Sequence, residues 1–148
     1  MKSITSNSLG DTEKIAEEFV QRIGSNRDIS TGAFIVGLSG HLGAGKTAFV
    51  KAMAKALEVS EEVTSPTFVI MKIYNIEHRR WKRLIHIDAY RLEDRKELDV
   101  LEFDRLISDP ENLIFIEWPE HVKLAGSDLD VSLQLEMREH GPRISIEP

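Results

Sequence analysis

A glycine-rich stretch with the spacing of a phosphate-binding loop lies in the first third of the chain. The sequence reads Gly40-His41-Leu42-Gly43-Ala44-Gly45-Lys46-Thr47, which matches G-x-x-x-x-G-K-T. Glycines at these positions let successive backbone N–H groups point at phosphate oxygens, and a helix beginning near Lys46 adds its positive dipole end. The pattern should arise by chance in under about 1% of chains this long. We therefore predict a phosphate site in which Lys46 reaches the β- and γ-phosphates and Thr47 is a Mg²⁺ ligand.

Two carboxylates follow apolar runs elsewhere in the chain. Glu117 follows the run 113–116, and Asp88 follows the run 84–87. Ligands in open α/β folds bind at the carboxyl ends of strands, so both residues are candidate partners of the phosphate loop. Glu117 is the better metal candidate because its strand is more apolar and therefore more central. Asp88 could place or activate the attacking water, or hold the metal through water, and either carboxylate could instead cap a strand end in solvent.

His86 lies two residues before Asp88 and would share its face of a strand. The sequence near His86 has no second histidine that could complete a metal site. We therefore expect His86 to have a structural or hydrogen-bonding role and not to be a metal ligand.

The pattern of apolar residues predicts the elements that hold these groups. The run 34–39 suits a strand buried on both faces, as in parallel sheets, and the spacing of apolar residues predicts helices over 15–23 and 49–57. Ser8 and Asp11 form a capping-box-like pattern before the first helix.

The second half of the chain is predicted to add an antiparallel hairpin, two short helices and further strands. The predicted hairpin joins 68–76 to 84–87 through the basic turn 78–83, the short helices cover 93–106, and strands follow at 113–116, 131–137 and 144–146. The predicted fold class is an α/β, P-loop NTPase-like mixed β-sheet flanked by helices, parallel at its centre and antiparallel at one edge. We expect residues 1–148 to form a single domain.

Composition narrows the classes of function. The 148 residues carry 19 basic and 25 acidic side chains, a formal net charge of -6, and no cysteine. That balance argues against a protein whose main task is gripping a nucleic-acid backbone. We see no signal peptide and no run of the ~20 apolar residues that a membrane helix needs, so we expect a soluble, cytoplasmic protein without a membrane partner.

Four motifs in fixed order make the sequence resemble a known family. After the glycine-rich loop come Thr64-Ser65-Pro66-Thr67-Phe68, then His86-Ile87-Asp88-Ala89-Tyr90-Arg91-Leu92, and then Ile116-Glu117-Trp118-Pro119-Glu120. Together they resemble the TsaE (YjeE) family, small ATPases of bacterial tRNA threonylcarbamoyladenosine synthesis. The resemblance runs from about Ser8 to the final hairpin.

The resemblance implies an ATPase that binds ATP and Mg²⁺, is slow alone, and acts with the TsaB and TsaD proteins, meeting tRNA only through that complex. It implies Thr47 and Glu117 as metal ligands, Asp88 as the critical acid, and a switch-like loop around Thr67. The predicted catalytic residues are thus Asp88, Lys46 and Glu117. The residues predicted to contact the nucleotide are Thr12, His41, Leu42, Gly43, Ala44, Gly45, Lys46, Thr47, Ala48 and Thr67. The family usually has Asp at the position of His41.

Two other classes of function remain open at the level of sequence. A small metabolite kinase could use the same loop, although no lid insertion is evident between the predicted elements. A non-catalytic module could sense nucleotide state, although the presence of Lys46, Thr47, Asp88 and Glu117 argues against it. The basic turn around Trp81 could touch RNA or an acidic partner, but a solvated turn with Trp81 packed on the sheet is favoured. Trp118 could lie near the nucleotide or in the core.

Overall fold

Seven strands form one sheet in the computed structural model, which describes residues 2–5, 9–25, 32–41, 43–63, 70–138 and 141–147. The strands are β1 (Lys2–Thr5), β2 (Phe34–Ser39), β3 (Met71–Asn75), β4 (Arg83–Asp88), β5 (Asn112–Glu117), β6 (Val131–Arg138) and β7 (Gly141–Glu147). Their order across the sheet is β1-β7-β6-β2-β5-β4-β3.

The centre of the sheet is parallel. Strand β2 lies between β6 and β5, and β4 lies beyond β5, all four running in the same direction. Antiparallel pairs lie at both edges: β3 against β4 on one side, and β7 against β6 and β1 on the other. The predicted mixed α/β sheet is confirmed. The sequence predicted antiparallel pairing at one edge of the sheet, and the structure has it at both edges.

Helices and short 3-10 helices cover the two faces of the sheet. The α-helices are α1 (Leu9–Gly24), α2 (Lys46–Ala56) and α3 (Phe103–Ile107), and 3-10 helices span Arg95–Leu101, Pro119–Val122 and Gly126–Asp128. Helices α1 and α2 pack on one face, and α3 and the 3-10 helices Arg95–Leu101 and Pro119–Val122 contribute Phe103, Leu98 and Val122 to the cluster on the other. The two short helices expected over 93–106 are confirmed, and Asp94 caps the N-terminus of the first in a capping box closed by Glu97.

Full burial of β2 and β5 follows from this layering. Val36 and Phe115 face the cluster under α1 and α2, whereas Ile35 and Ile114 face the opposite cluster. Because both faces are covered, both strands are continuous apolar runs. None of the helices in the described ranges has the length and apolarity needed to cross a bilayer.

Several local features differ from the expectations. Strand β1, which pairs with β7, was not predicted, because a four-residue edge strand carries too short a pattern to be recognised. Met137 is 57% exposed although it continues the apolar alternation of β6, and it lies near the end of the β6–β7 hairpin. The Ser8 capping pattern and Phe68 fall outside the described residues.

The basic turn between β3 and β4 packs its aromatic residue inward. Trp81 is fully buried, with its ring centroid 6.0 Å from that of Phe34 and 4.9 Å from that of His78. Arg80 donates to the backbone oxygen of Ile23, and Arg83 bonds to Asp109 and Asn112 on the far side of the turn. The favoured interpretation of Trp81 as a core residue is therefore confirmed.

Candidate nucleotide-binding site

The glycines of the loop after β2 adopt backbone conformations that other residues avoid. Gly40, Gly43 and Gly45 have φ values of 147°, 79° and 97°, in the region that favours glycine. A Cβ atom at Gly40 would collide with the backbone oxygen of Leu135, whereas one at Gly43 would meet no atom of the described residues within 4 Å, its chain neighbours aside. Gly40 is therefore required by both conformation and space, and Gly43 by conformation alone.

The loop ends directly in the N-terminus of α2. The first hydrogen bond of this helix runs from the amide of Phe49 to the oxygen of Gly45, at 2.9 Å. The amides of Lys46, Thr47 and Ala48 precede it and so have no acceptor within the helix. Three N–H groups and the positive dipole end consequently face the loop, which is an arrangement suited to an anion.

Lys46 is buried beneath the loop, with 4% of its surface exposed. Its Nζ donates to the backbone oxygens of Gly40, at 2.7 Å, and His41, at 2.9 Å. The same ammonium lies 4.2 Å from the ring centroid of Trp118, within the range of a cation–π interaction. The Lys46 side chain is therefore held against the loop by two hydrogen bonds and one cation–π contact.

Burial lowers the pKa of the Lys46 ammonium below its ordinary value of 10.5, and the charges of Glu117, Glu120 and Asp88 oppose that shift. Removal from water disfavours the charged form, while nearby carboxylates favour it. The ammonium thus lies in a partly dry, acidic environment, where attraction to an anion is stronger than it would be in water.

Thr47 and Glu117 meet between α2 and the end of β5. The Thr47 hydroxyl lies 3.2 Å from Oε1 and 3.1 Å from Oε2 of Glu117, whose surface is 3% exposed. His86 Nε2 lies 2.6 Å from Glu117 Oε2. His86 therefore makes the hydrogen bond that the sequence favoured over metal ligation.

Asp88 ends β4 directly beside Glu117, which is its partner in the parallel pairing of β4 with β5. It is 9% exposed. Its Oδ1 accepts from the amide of Tyr90 at 3.0 Å, which orients the carboxylate at the strand end. The structure thus brings both candidate acids to the edge of the sheet where the loop also lies.

Trp118 follows Glu117 in a left-handed backbone conformation, with φ at 61°. Its ring is stacked on His121 at 4.9 Å and lies 5.2 Å from the ring of Tyr90. Together with the Lys46 contact, this places Trp118 beside the loop, where it also packs against the edge of the apolar cluster on the face opposite α1 and α2.

A groove of about 530 Å³ lies beside the loop, on the face of the sheet opposite α1 and α2. Ser39, Glu120 and Gln134 are among its polar lining residues, and Ser39 donates to Glu120 at 2.8 Å. Sequence reasoning gave Glu120 no role at the site. The only signal was its place just after Glu117 and Trp118.

The remaining predicted site residues are placed less directly. Ala48 is exposed on the first turn of α2. Thr12 is buried on α1, which packs against α2. Leu42 and Thr67, with the rest of the Thr64–Phe68 motif, lie outside the described residues.

The donor set suits magnesium by its chemistry. Mg²⁺ prefers oxygen ligands, keeps several waters, and is bound through one or two carboxylates together with substrate phosphates. Thr47 and Glu117 offer a hydroxyl and a carboxylate within 3.2 Å of each other. Among the described residues, no group of three or more His, Cys, Asp or Glu side chains is arranged to hold a metal ion.

The strand, glycine-rich loop and helix, with an acid ending the adjacent parallel strand, define a P-loop protein of the nucleotide-binding class. Its fold is similar to that in the crystal structure of Bacillus subtilis YdiB, with a TM-score of 0.68 and 22% identity, covering 98% of this chain and 82% of that one.

Sequence comparison gives the family. The family described as threonylcarbamoyl adenosine biosynthesis protein TsaE matches residues 6–144. The chain is 35% identical over 145 residues to the tRNA threonylcarbamoyladenosine biosynthesis protein TsaE of Aquifex aeolicus, covering 97% of this chain and 92% of that protein. It is 38% identical over 108 residues to the TsaE protein of Mycobacterium bovis, covering 68% of this chain and 63% of that protein. The chain therefore belongs to the TsaE family, which is involved in tRNA threonylcarbamoyladenosine biosynthesis.

Proposed function

We propose that this protein binds ATP with Mg²⁺ at the loop 40–47 and hydrolyses it, acting with TsaB and TsaD in tRNA N6-threonylcarbamoyladenosine modification. The observation that carries the proposal is the contact between Thr47 and Glu117, at 3.1 and 3.2 Å. That contact joins the phosphate loop to the acid of the neighbouring strand, which is the pairing that P-loop NTPases use to hold Mg²⁺. The choice of ATP rests on membership of the TsaE family.

Phosphate binding is assigned to the loop amides and Lys46. The N–H groups of Lys46, Thr47 and Ala48 point away from any helical acceptor and can donate to phosphate oxygens. The Lys46 ammonium, now bonded to two loop carbonyls, would exchange these contacts for the β- and γ-phosphates. Its burial and cation–π contact with Trp118 limit the entropy lost in that exchange.

Thr47 and Glu117 would hold the cation. Mg²⁺ held there would supply positive charge to neutralise the negative charge that develops on the phosphates. The Thr47 hydroxyl oxygen and the Glu117 carboxylate each offer a hard oxygen donor at one end of the site.

Asp88 is assigned to placing the attacking water. Its carboxylate lies beside Glu117 at the end of the adjacent strand, and one oxygen is fixed by the Tyr90 amide. A carboxylate that is fixed in this way can accept a hydrogen bond from the attacking water and so orient the lone pair of the water oxygen for attack.

The isolated protein should hydrolyse ATP slowly if none of its own arginines stabilises the charge that develops on the phosphates during hydrolysis. Arg91, exposed on the loop after β4, is the candidate for such an arginine within the chain. Groups supplied by a partner accelerate P-loop hydrolases by roughly 10³–10⁵-fold. The TsaB–TsaD pair is the proposed source of this activation.

The test is nucleotide hydrolysis by the purified protein, alone and with its cognate TsaB–TsaD pair, for wild type and Lys46→Ala. ATP and GTP are compared in Mg²⁺ and in EDTA. Slow basal turnover of ATP that needs Mg²⁺, rises with the pair and disappears in Lys46→Ala is the expected result.

Two other results would redirect the assignment. Turnover that ignores the pair, or none with it, would remove the proposed role with TsaB and TsaD. A metabolite phosphorylated faster than water is attacked would identify a kinase instead.

A further inference from the structure

His86 contacts the proposed metal ligand from inside the protein. It is fully buried on β4, between Lys72 of β3 and Phe115 of β5 in the sheet register. Its Nε2 lies 2.6 Å from Oε2 of Glu117. The backbone on both sides is paired, so the imidazole has little freedom to move away from that carboxylate.

The other ring nitrogen shows which atom carries the hydrogen. Nδ1 of His86 is buried and has no hydrogen-bond partner among the described residues. An N–H there would be buried without an acceptor, which is costly. The hydrogen is therefore assigned to Nε2, which donates it to Glu117 Oε2.

The two oxygens of Glu117 thereby acquire different environments. The Thr47 hydroxyl lies at similar distances from both oxygens, 3.2 Å from Oε1 and 3.1 Å from Oε2, but among the described residues only Oε2 also accepts from His86. Oε2 is held by the His86 side chain of β4, and Oε1 lies beside the Thr47 hydroxyl at the N-terminus of α2.

We infer that His86 is a positioning residue that anchors Oε2 of Glu117, so that Oε1 is presented to the divalent cation beside Thr47. The inference rests on the proposed Mg²⁺ site and adds to it the group that orients the ligand. Partners that orient a metal ligand in this way matter to binding, and losing one typically costs 10–100-fold in metal affinity or activity.

The test compares two amides at position 86 that differ in reach. In His86→Gln the side-chain NH₂ can occupy the place of Nε2 and donate to Glu117. In His86→Asn the amide is one methylene shorter and cannot reach it. Phe115→Leu is the control for disturbed packing, because Phe115 is buried and lies next to His86 on the neighbouring strand β5.

The readout is the ratio of nucleotide affinity in Mg²⁺ to that in EDTA, measured by calorimetry alongside thermal melting. We expect wild type, His86→Gln and Phe115→Leu to keep this ratio within a few-fold and His86→Asn to lose about 10–100-fold of it. The affinity in EDTA should stay close to wild type in all four proteins, because the phosphate loop is unchanged.

Each other outcome is decisive. If His86→Asn keeps the ratio, or if Phe115→Leu loses it equally, His86 does not position the ligand. Failure of His86→Gln to retain the ratio, when that protein melts as wild type does, would also overturn the inference. A wild-type protein that binds nucleotide without any Mg²⁺ effect would refute the proposed metal site as well, and one that binds none would refute the proposed function first.

Discussion

Thr47 and Glu117 lie 70 residues apart in the chain, yet their side-chain oxygens are 3.1 and 3.2 Å apart. At the scale of single residues, the site consists of short polar contacts made in places sheltered from water. Glu117 and Lys46 are both at least 95% buried. Burial makes each contact more sensitive to substitution, because a buried polar group that loses its partner pays for its lost hydration.

Replacing Thr47 separates the hydroxyl from the shape of the side chain. Thr47→Val keeps the shape and removes the oxygen, and Thr47→Ser keeps the oxygen. We expect Thr47→Val to lower Mg²⁺-dependent nucleotide affinity by at least about tenfold and Thr47→Ser to retain most of it. Titration of nucleotide in Mg²⁺ and in EDTA measures this. Equal affinity of the two variants would show that the hydroxyl is not a ligand.

At the scale of elements, the turn from β2 into α2 depends on two glycines for different reasons. Gly43→Ala should cost about 1–2 kcal/mol from left-handed backbone strain alone, because a Cβ there meets no atom within 4 Å in the part of the chain that the structure describes, its chain neighbours aside. Gly40→Ala should cost more than the roughly 1–3 kcal/mol typical of such strain, because the Leu135 carbonyl must also move. Urea unfolding of both variants measures the difference, and equal losses would contradict this account of the turn.

The β3–β4 turn should make the protein sensitive to acid. Burial, and then the charges of Arg79 and Arg80, lower the pKa of His78 below 6.5, and its Nδ1 accepts from the Arg80 amide. Between the folded pKa and 6.5 the unfolded chain binds more protons, so the free energy of unfolding falls as pH falls through this window. Below the folded pKa, the loss is complete.

His78→Phe tests this sensitivity because it keeps a ring on Trp81 and removes the titrating group. We expect wild type to lose more stability than His78→Phe between about pH 8 and about pH 5, as measured by urea unfolding at each pH. Parallel losses in the two proteins would mean that His78 does not contribute.

At the scale of the whole molecule, stability comes from the two apolar layers on the faces of the sheet. Ile85 and Ile73 are register partners on β4 and β3, but Ile85 is fully buried and Ile73 is 46% exposed. Ile85→Ala should lower the free energy of unfolding by about 2–5 kcal/mol, and Ile73→Ala by under about 1 kcal/mol. Denaturant unfolding of the two variants measures this. Similar losses of unfolding free energy in both would contradict the burial of Ile85 in the core and the exposure of Ile73.

Local sequence predicts those features that depend on neighbours in the chain. The apolar runs of β2 and β5, the helical spacing of α1 and α2, and the glycine-rich turn are all present as expected, because buried strands, amphipathic helices and tight turns each impose a short-range pattern. The same patterns predicted that Glu117 and Asp88 lie at strand ends, as they do. Strand β1 was missed because its pairing with β7 depends on the opposite end of the chain.

Contacts between distant segments come only from the folded arrangement. Three contacts of the site depend on which strands are neighbours and on how side chains meet between layers. They are the His86–Glu117 hydrogen bond, the cation–π contact of Lys46 with Trp118, and the Ser39–Glu120 hydrogen bond. Periodicity along one strand states which face a residue occupies but not what it meets there. The chemical groups of this site are therefore legible in the sequence, whereas their partners are set by the order of β2, β5 and β4 in the sheet.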